Sequence, residues 1–327
     1  MTALQQQVRR TIRRHGLLPP ASRVLIGLSG GSDSVALTLL LQELAEHGDF
    51  QVVGLAHLHH GLRPTADRDE TFCREFAARR SLSIIVENAD VQAFARANAL
   101  SIEDAARRVR YMFLERAAAD AGADRVAVGH TQDDQAETFL LKLMRGAGLT
   151  GLAGIYPQRG SVIRPLLDVT DADLQEYLKS RGERWVEDET NEDLENPRNR
   201  IRHRILPELD RAAGASTRAA IARAAALVRD DAQWLDELSQ ARFKTLVAET
   251  ERGLEFDAGA LAELPPPVLR RVVLQAMRSV AGGKEIGLDH VEAVVALLSG
   301  GRGGVDVPGS RVALCGGKVV FTPQGEG

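Results

Sequence analysis

Val24-Leu25-Ile26-Gly27-Leu28 runs directly into Ser29-Gly30-Gly31-Ser32-Asp33-Ser34, and that string into Val35-Ala36-Leu37-Thr38-Leu39-Leu40-Leu41. The first five residues read as a buried strand and the last seven as a helix. The six between them form a glycine-rich turn that opens on the helix N-terminus. A helix start leaves its first N–H groups without intrahelical partners and carries the positive end of the helix dipole, so an anion is stabilised there. Gly30 and Gly31 let the backbone approach a phosphate closely, while Ser29, Ser32 and Ser34 add hydroxyl donors. No segment matches G-x-x-x-x-G-K followed by Ser or Thr, so this is not a Walker A loop. Asp33 beside a phosphate makes electrostatic sense only with a cation between the two negative groups, and Mg2+ is the usual partner of carboxylate plus phosphate. The bland alternative is a capped helix start in which the serines and Asp33 are ordinary caps.

Outward from this turn, short apolar runs at 23–28, 51–58, 82–87 and 125–129 alternate with helical patterns at 33–47, 67–80, 102–121 and 133–145. That alternation predicts an α/β domain with a doubly wound parallel sheet over residues 1–212. Beyond Pro197 the character changes. A long Ala-rich helical stretch starts at Ser216, and strand-like runs come only near Val305, at 311–314 and at 318–321. A smaller, α-rich second domain is therefore expected at 213–327, ending in short strands joined by Gly-rich turns.

The 327 residues exceed the ~100–200 of a typical domain, which agrees with two domains. With 44% hydrophobic and 26% charged residues the composition is that of a globular protein, and no run approaches the ~18 apolar residues of a membrane span. The arginines of the first fourteen residues are followed by no signal-type apolar stretch, so the cytoplasm is the expected location, with no membrane partner. Two distant cysteines, Cys73 and Cys315, supply neither a disulfide framework nor a C-x-x-C site. The net charge is −4 and neither half is basic, so any nucleic-acid contact rests on local arginine clusters. Aromatic residues at 4% argue against a stacking platform.

The string Ser29 to Ser34 resembles the pyrophosphate loop of the N-type ATP pyrophosphatases, the PP-loop enzymes that adenylate an oxygen and release pyrophosphate. Further segments narrow the resemblance: His57-Leu58-His59-His60-Gly61-Leu62-Arg63, Glu103 through Arg107 to Arg110-Tyr111, Gly129-His130-Thr131-Gln132-Asp133-Asp134-Gln135-Ala136-Glu137-Thr138, Arg164-Pro165-Leu166, and Arg198-Asn199-Arg200-Ile201-Arg202. Together, over roughly residues 24 to 207, they are similar to the tRNA(Ile)-lysidine synthetase family, with His59 standing where that family usually has asparagine. The resemblance implies ATP-dependent attachment of free L-lysine to C2 of the wobble cytidine of an isoleucine tRNA with a CAU anticodon. It implies ATP and Mg2+ at residues 29–34 with His57 on the nucleotide rim, Asp33 as the metal carboxylate, and Asp33, Arg110 and His130 as catalytic groups. It also tips Asp134 and Glu137 toward lysine. Thiolation of tRNA by a related enzyme is the alternative, and it needs sulfur-carrying cysteines or a cluster. The sequence leaves the oligomeric state open, a homodimer included.

Several of these residues have plainer readings. Asp134 and Glu137 lie i, i+3 on one helix face, but Thr131 with Asp134 also has the spacing of a capping box. The face of Glu137 could simply be solvated. His57, His59 and His60 invite zinc, yet no further ligand follows at metal spacing. Gly146 to Gly151 fits G-x-G-x-x-G by letters but follows a helix, so it is discarded as a dinucleotide site and read as a flexible loop. Arg198, Arg200, Arg202 and Arg204, with Arg107, Arg108 and Arg110, are the expected tRNA phosphate contacts. Alternate positions cannot all share a helix face, so pairing with Asp188, Glu192 or Asp193 competes.

Overall fold

The computed structural model describes residues 1–48, 50–61, 66–187, 194–214, 216–300 and 303–324. The chain divides into two compact units, Met1–Val228 and Arg229–Gly327. The division falls inside a long helix, C-terminal to the boundary at Ala213 suggested by the change in composition.

In the first unit, strands β1 (Arg23–Gly27), β2 (Gln51–His59), β3 (Ile84–Asn88), β4 (Arg125–Ala127), β5 (Gln158–Arg159) and β6 (Val162–Ile163) form one sheet in the order β3-β2-β1-β4-β6-β5. Neighbours pair in parallel except β5, which is antiparallel to β6. The helices are α1 (Ala3–Arg14), α2 (Ser32–Ala45), α3 (Ala66–Arg79), α4 (Val91–Ala97), α5 (Ile102–Asp120), α6 (Gln132–Met144), α7 (Leu149–Leu152), α8 (Asp171–Ser180), α9 (Pro197–Arg200), α10 (Leu206–Ala213) and the start of α11 (Thr217–Leu246). A π turn, Ile201–Ile205, joins α9 to α10.

Because strand side chains alternate between faces, β1 feeds two cores. Val24 and Ile26 pack with α1, α2, α3 and α8 through Val8, Leu37, Leu40, Phe76 and Leu178. Leu25 points the other way, with Ala56 and Val126, onto Phe113, Leu114 and Ala117 of α5. Each buried Val, Leu, Ile or Phe among them contributes about 1.5–3 kcal/mol. Val35 through Leu41 of α2 are all buried, as expected of a helix that is apolar on every side. With β2 on one flank of β1 and β4 on the other, the loops leaving β1 and β4 diverge at their C-terminal ends, where open α/β sheets bind ligands.

The second unit holds a five-stranded antiparallel sheet ordered β7-β8-β11-β10-β9, from β7 (Ala248–Thr250), β8 (Gly253–Asp257), β9 (Gly303–Val307), β10 (Ser310–Cys315) and β11 (Lys318–Pro323). Helices α12 (Ala258–Ala262), α13 (Pro266–Val280) and α14 (Leu288–Gly300) share its core, in which Phe256 meets Phe243 and Phe321 edge-on at 5.5 and 5.6 Å. The unit is thus a helix-and-sheet structure. The hairpin β7–β8 escaped the sequence reading because Ala248, Glu249 and Thr250 are all exposed and present no apolar alternation.

Candidate active site

Gly31 is the N-cap of α2 and offers no side-chain cap, so the first N–H groups of the helix face outward from the turn. Ser34 Oγ accepts from the Ser29 N–H at 3.1 Å and donates to the Gly31 carbonyl at 3.0 Å, tying the loop to itself. Ser32 Oγ donates to Asp33 at 3.0 Å. Gly30 has φ +90°, in the left-handed region, and its carbonyl accepts from the Val186 N–H at 2.9 Å. Across the switch point, a Cβ on Gly129 would lie 3.0 Å from the Asp33 backbone carbon, so any side chain at 129 would have to push the loop after β4 away from the start of α2.

Between these loops lies a cavity of about 650 Å3 whose lining includes Ser29, Asp33, His57, Arg110, His130 and Asp134. The phosphate turn and most of the groups expected to do chemistry therefore open on one space.

Helix α6 supplies the acids. Thr131 caps it, and the capping box is complete: the Asp134 N–H donates to Thr131 Oγ1 at 3.2 Å, and Asp134 Oδ2 accepts from the Thr131 N–H at 3.0 Å. The other oxygen, Oδ1, accepts from Arg198 Nη2 at 2.6 Å. The capping reading of Asp134 thus holds at one oxygen, and the other is engaged by Arg198. Glu137, one turn on, is fully buried, and accepts from Arg198 Nε at 2.6 Å and Arg202 Nε at 2.5 Å. Asp133 faces elsewhere, taking Arg218 Nη1 at 2.6 Å and the Asp171 N–H at 2.9 Å.

This density of carboxylates shifts their protonation. Burial and the neighbouring Asp134 push the Asp33 carboxyl up to about 6. Burial, with Asp33 and Asp133 nearby, pushes Asp171 up to about 7. Burial works in the same direction on Asp134, but Arg198, His130 and the Thr131 N–H outweigh it and hold that group below the usual range.

Both site histidines are neutral, with defined tautomers. Burial lowers His130 to about 4, helped by Arg164, Arg198 and Arg110. Arg164 Nε donates to His130 Nδ1 at 3.3 Å, so the His130 proton resides on Nε2. Arg164 itself is buried and fixed by the Tyr156 carbonyl at 2.7 Å and the Tyr111 hydroxyl at 3.1 Å. His57, lowered by burial, donates from Nδ1 to the Leu28 carbonyl at 2.8 Å, leaving Nε2 as an acceptor. Asp171 had no role in the sequence reading and Arg164 only a place in a recognised segment, because their partners converge only in the fold.

The arginine cluster is split by helical geometry. Arg198 and Arg202, four apart, share a face and turn inward onto Asp134 and Glu137. Arg200 and Arg204 lie on the exposed side, Arg200 near the Leu194 and Glu195 carbonyls. Two of the four are thus held by Asp134 and Glu137, acids that the sequence reading did not pair with them. Asp188, Glu192 and Asp193 lie outside the described residues, as does Arg63. His59 contacts Asp67 at 3.0 Å, and His60 contacts Arg110 at 3.5 Å. No group of three or more His, Cys, Asp or Glu residues is disposed around a metal position among the described residues. Gly148 opens the short α7, which follows α6 and no strand.

The cysteines are poorly placed for sulfur chemistry. Cys73 is fully buried, its thiol pushed up to about 12 by burial with Asp69 and Glu70 nearby, so the nucleophilic thiolate is absent near neutrality. Cys315 belongs to the second unit.

A glycine-rich phosphate turn at the switch point of a doubly wound sheet, without the Walker lysine and with an acid in the first helical turn, defines a nucleotide-dependent enzyme of the ATP-pyrophosphatase class. Residues 1–209 match the PP-loop domain family. Over 302 residues the chain is 39% identical to the tRNA(Ile)-lysidine synthase of Geobacter sulfurreducens, covering 90% of this chain and 63% of that protein. It is 37% identical to the enzyme of the same name from Symbiobacterium thermophilum, covering 97% and 69%. The chain belongs to the PP-loop family and, within it, to the tRNA(Ile)-lysidine synthases. It spans less than two thirds of the Geobacter sulfurreducens relative. Among solved structures, the U34-tRNA thiolase NcsA of Methanococcus maripaludis shares the fold, with TM-score 0.57 at 17% identity over 69% of this chain and 78% of that one. No described helix is long and apolar enough to cross a membrane.

Proposed function

We propose that this chain ligates free L-lysine to C2 of the wobble cytidine of an isoleucine tRNA with a CAU anticodon, using ATP and passing through an adenylated cytidine. The observation that supports this reading is that the phosphate turn and Asp134 open on the same cavity, so a nucleotide and an ammonium can meet across one reacting carbon. The C2 oxygen attacks the α-phosphorus, pyrophosphate leaves toward Ser29 to Ser34, and the lysine ε-amine then displaces AMP. A proton on His130 Nε2 donates to the phosphate or the base, and Arg110 offsets negative charge at the other wall. His57 Nε2 accepts from the nucleotide.

Asp33 is the residue that would hold Mg2+. Its repulsion by Asp134 is what a divalent cation relieves, and Mg2+ needs only one or two carboxylates besides phosphate oxygens. When bound, Mg2+ neutralises charge on the leaving pyrophosphate. For lysine, the ammonium takes over the place of Arg198 between Asp134 and Glu137, so the site keeps its balance of charge through the exchange. A tRNA substrate puts the enzyme in the cytoplasm.

Incubation with total tRNA, ATP, Mg2+ and labelled lysine tests the reading. Label in the isoleucine tRNA and AMP in equal amount are expected, and lysine-independent, tRNA-dependent pyrophosphate release should precede ligation. Absence of tRNA-dependent pyrophosphate release would overturn the proposal. The double change Cys73→Ala with Cys315→Ser is expected to leave lysine transfer intact, since amine attack needs no thiolate. Loss of turnover in a folded double variant would favour sulfur transfer instead.

A further inference from the structure

We propose that the exposed face of α1 is a docking surface for RNA phosphates, used by the same substrate whose base enters the cavity. The inference rests on the tRNA reading above. At 3.6 residues per turn, Arg9, Arg10, Arg13 and Arg14 fall within about 140° of one another on the helix, while Gln5, Val8, Thr11 and Ile12 occupy the opposite, buried face. Arg10, Arg13 and Arg14 are exposed, and their side chains make no hydrogen bond or ion pair among the described residues. The half-buried Arg9 has one hydrogen bond from its guanidinium among the described residues, to the Met1 sulfur at 3.4 Å.

The dipole at the end of α1 favours Arg13 and Arg14, but no side chain within the helix compensates the charge. Its sequence, ALQQQVRRTIRR, contains no acid. Arg9 with Arg13 and Arg10 with Arg14 are like-charge i, i+4 pairs, which weaken a helix on their own. Four cations without a carboxylate partner among the described residues, in a chain of net charge −4, run against its electrostatic average, and a polyanion is the partner that this arrangement complements.

The stripe also lies at the right end of the sheet. Thr11 Oγ1 donates to Asp168 Oδ2 at 2.6 Å, and Gln7 Nε2 donates to the Asp168 carbonyl at 2.5 Å. The next residue, Val169, accepts from the Gln132 N–H at 2.8 Å, and the Asp171 N–H bonds Asp133 at 2.9 Å. Two short links therefore connect the last turns of α1 to the start of α6, where Asp133 and Asp134 stand. An RNA whose base reaches the cavity brings neighbouring phosphates toward the same end. A lipid surface is the other anionic partner an amphipathic helix meets, but here the apolar face is spent: Val8 is 0% and Ile12 6% exposed.

The test compares the full chain with R10Q/R13Q/R14Q and with the corresponding triple lysine variant. Binding of labelled isoleucine tRNA is followed against KCl, beside ATP binding and vesicles of phosphatidylserine and phosphatidylcholine. Each phosphate contact contributes about 0.7 to 0.9 to the slope of log K against log salt, so the glutamine variant should lose about 2 to 2.7 of the slope, with ATP binding unchanged. The lysine variant should keep the slope, because point charges suffice at phosphates. An unchanged slope in the glutamine variant, while the wild type binds tRNA, overturns the stripe and leaves the cavity's reading standing. Failure of the wild type to bind tRNA overturns both. Vesicle binding that the glutamine variant loses, beside an unchanged tRNA slope, assigns the stripe to membranes.

Discussion

Glu137→Gln is expected to destabilise the protein by about 3 kcal/mol and, separately, to weaken the lysine-dependent step. Both carboxylate oxygens are engaged, one by Arg198 Nε and one by Arg202 Nε, and the side chain is fully buried. Glutamine offers one acceptor oxygen and one NH2 group, so one guanidinium faces a donor in place of an acceptor. Asp134 then stands alone against two cations, and Arg202 reaches it only at 3.6 Å. At about 2–4 °C per kcal/mol for a unit of this size, the melting temperature should fall by about 6 to 12 °C. Adding Arg202→Gln removes the orphaned charge and should restore most of the loss, because a missing pair costs less than a broken one. The apparent lysine affinity should fall about ten- to a hundred-fold in the single variant and stay low in the double, since a charge-assisted bond of roughly 1.5–3 kcal/mol is gone from both. Recovery of lysine affinity together with stability would reduce Glu137 to a structural anchor for Arg198 and Arg202.

That pairing shows where sequence stops being informative. The turn 29–34 could be read because strand, glycines and helix start are consecutive, and each constraint acts within a few residues. The parallel sheet followed from the alternation of short apolar runs with helical periods. Arg198 and Glu137, by contrast, are 61 positions apart, and only the packing of α6 against α9 and the π turn brings them together. Spacing did separate Arg198 and Arg202 from Arg200 and Arg204 in principle, since four residues is one helical turn, but it could not say which face looked inward. The same holds for Arg164. Its place in a recognisable segment was visible, whereas its hold on the His130 tautomer depends on Tyr156 and Tyr111 meeting it from two other segments. Short elements were missed for a different reason: β5 and β6 have two residues each, too few to display any period.

Asp33→Asn should abolish adenylation while making the protein more stable. The carboxyl stands at the start of α2, raised to about 6 from an ordinary 3.8 by burial and by Asp134. A carboxyl raised on folding binds its proton more tightly in the native state. Its favourable contribution is therefore full below about pH 4 and is lost as pH climbs through 6, so at pH 8 the ionised group costs about 2–3 kcal/mol. Asparagine keeps the size and the hydrogen bond with Ser32 but cannot ionise. The difference in melting temperature between variant and wild type should thus be near zero at pH 4, open between pH 4 and 6, and level off in favour of the variant by pH 8. Histidines 57 and 130, both lowered, tilt the two proteins equally in the opposite sense and cancel in the difference. Activity should move the other way, with tRNA-dependent pyrophosphate release falling by about 10^3-fold or more, several kcal/mol of charge neutralisation being lost with the metal's carboxylate. Mg2+ with ATP should raise the wild-type melting temperature far more than that of the variant. A variant that gains stability above pH 6 yet releases pyrophosphate at the wild-type rate in saturating Mg2+ would leave the electrostatics intact and remove Asp33 from the chemistry. A variant that loses both would mean that the Asp33 carboxylate braces the turn itself.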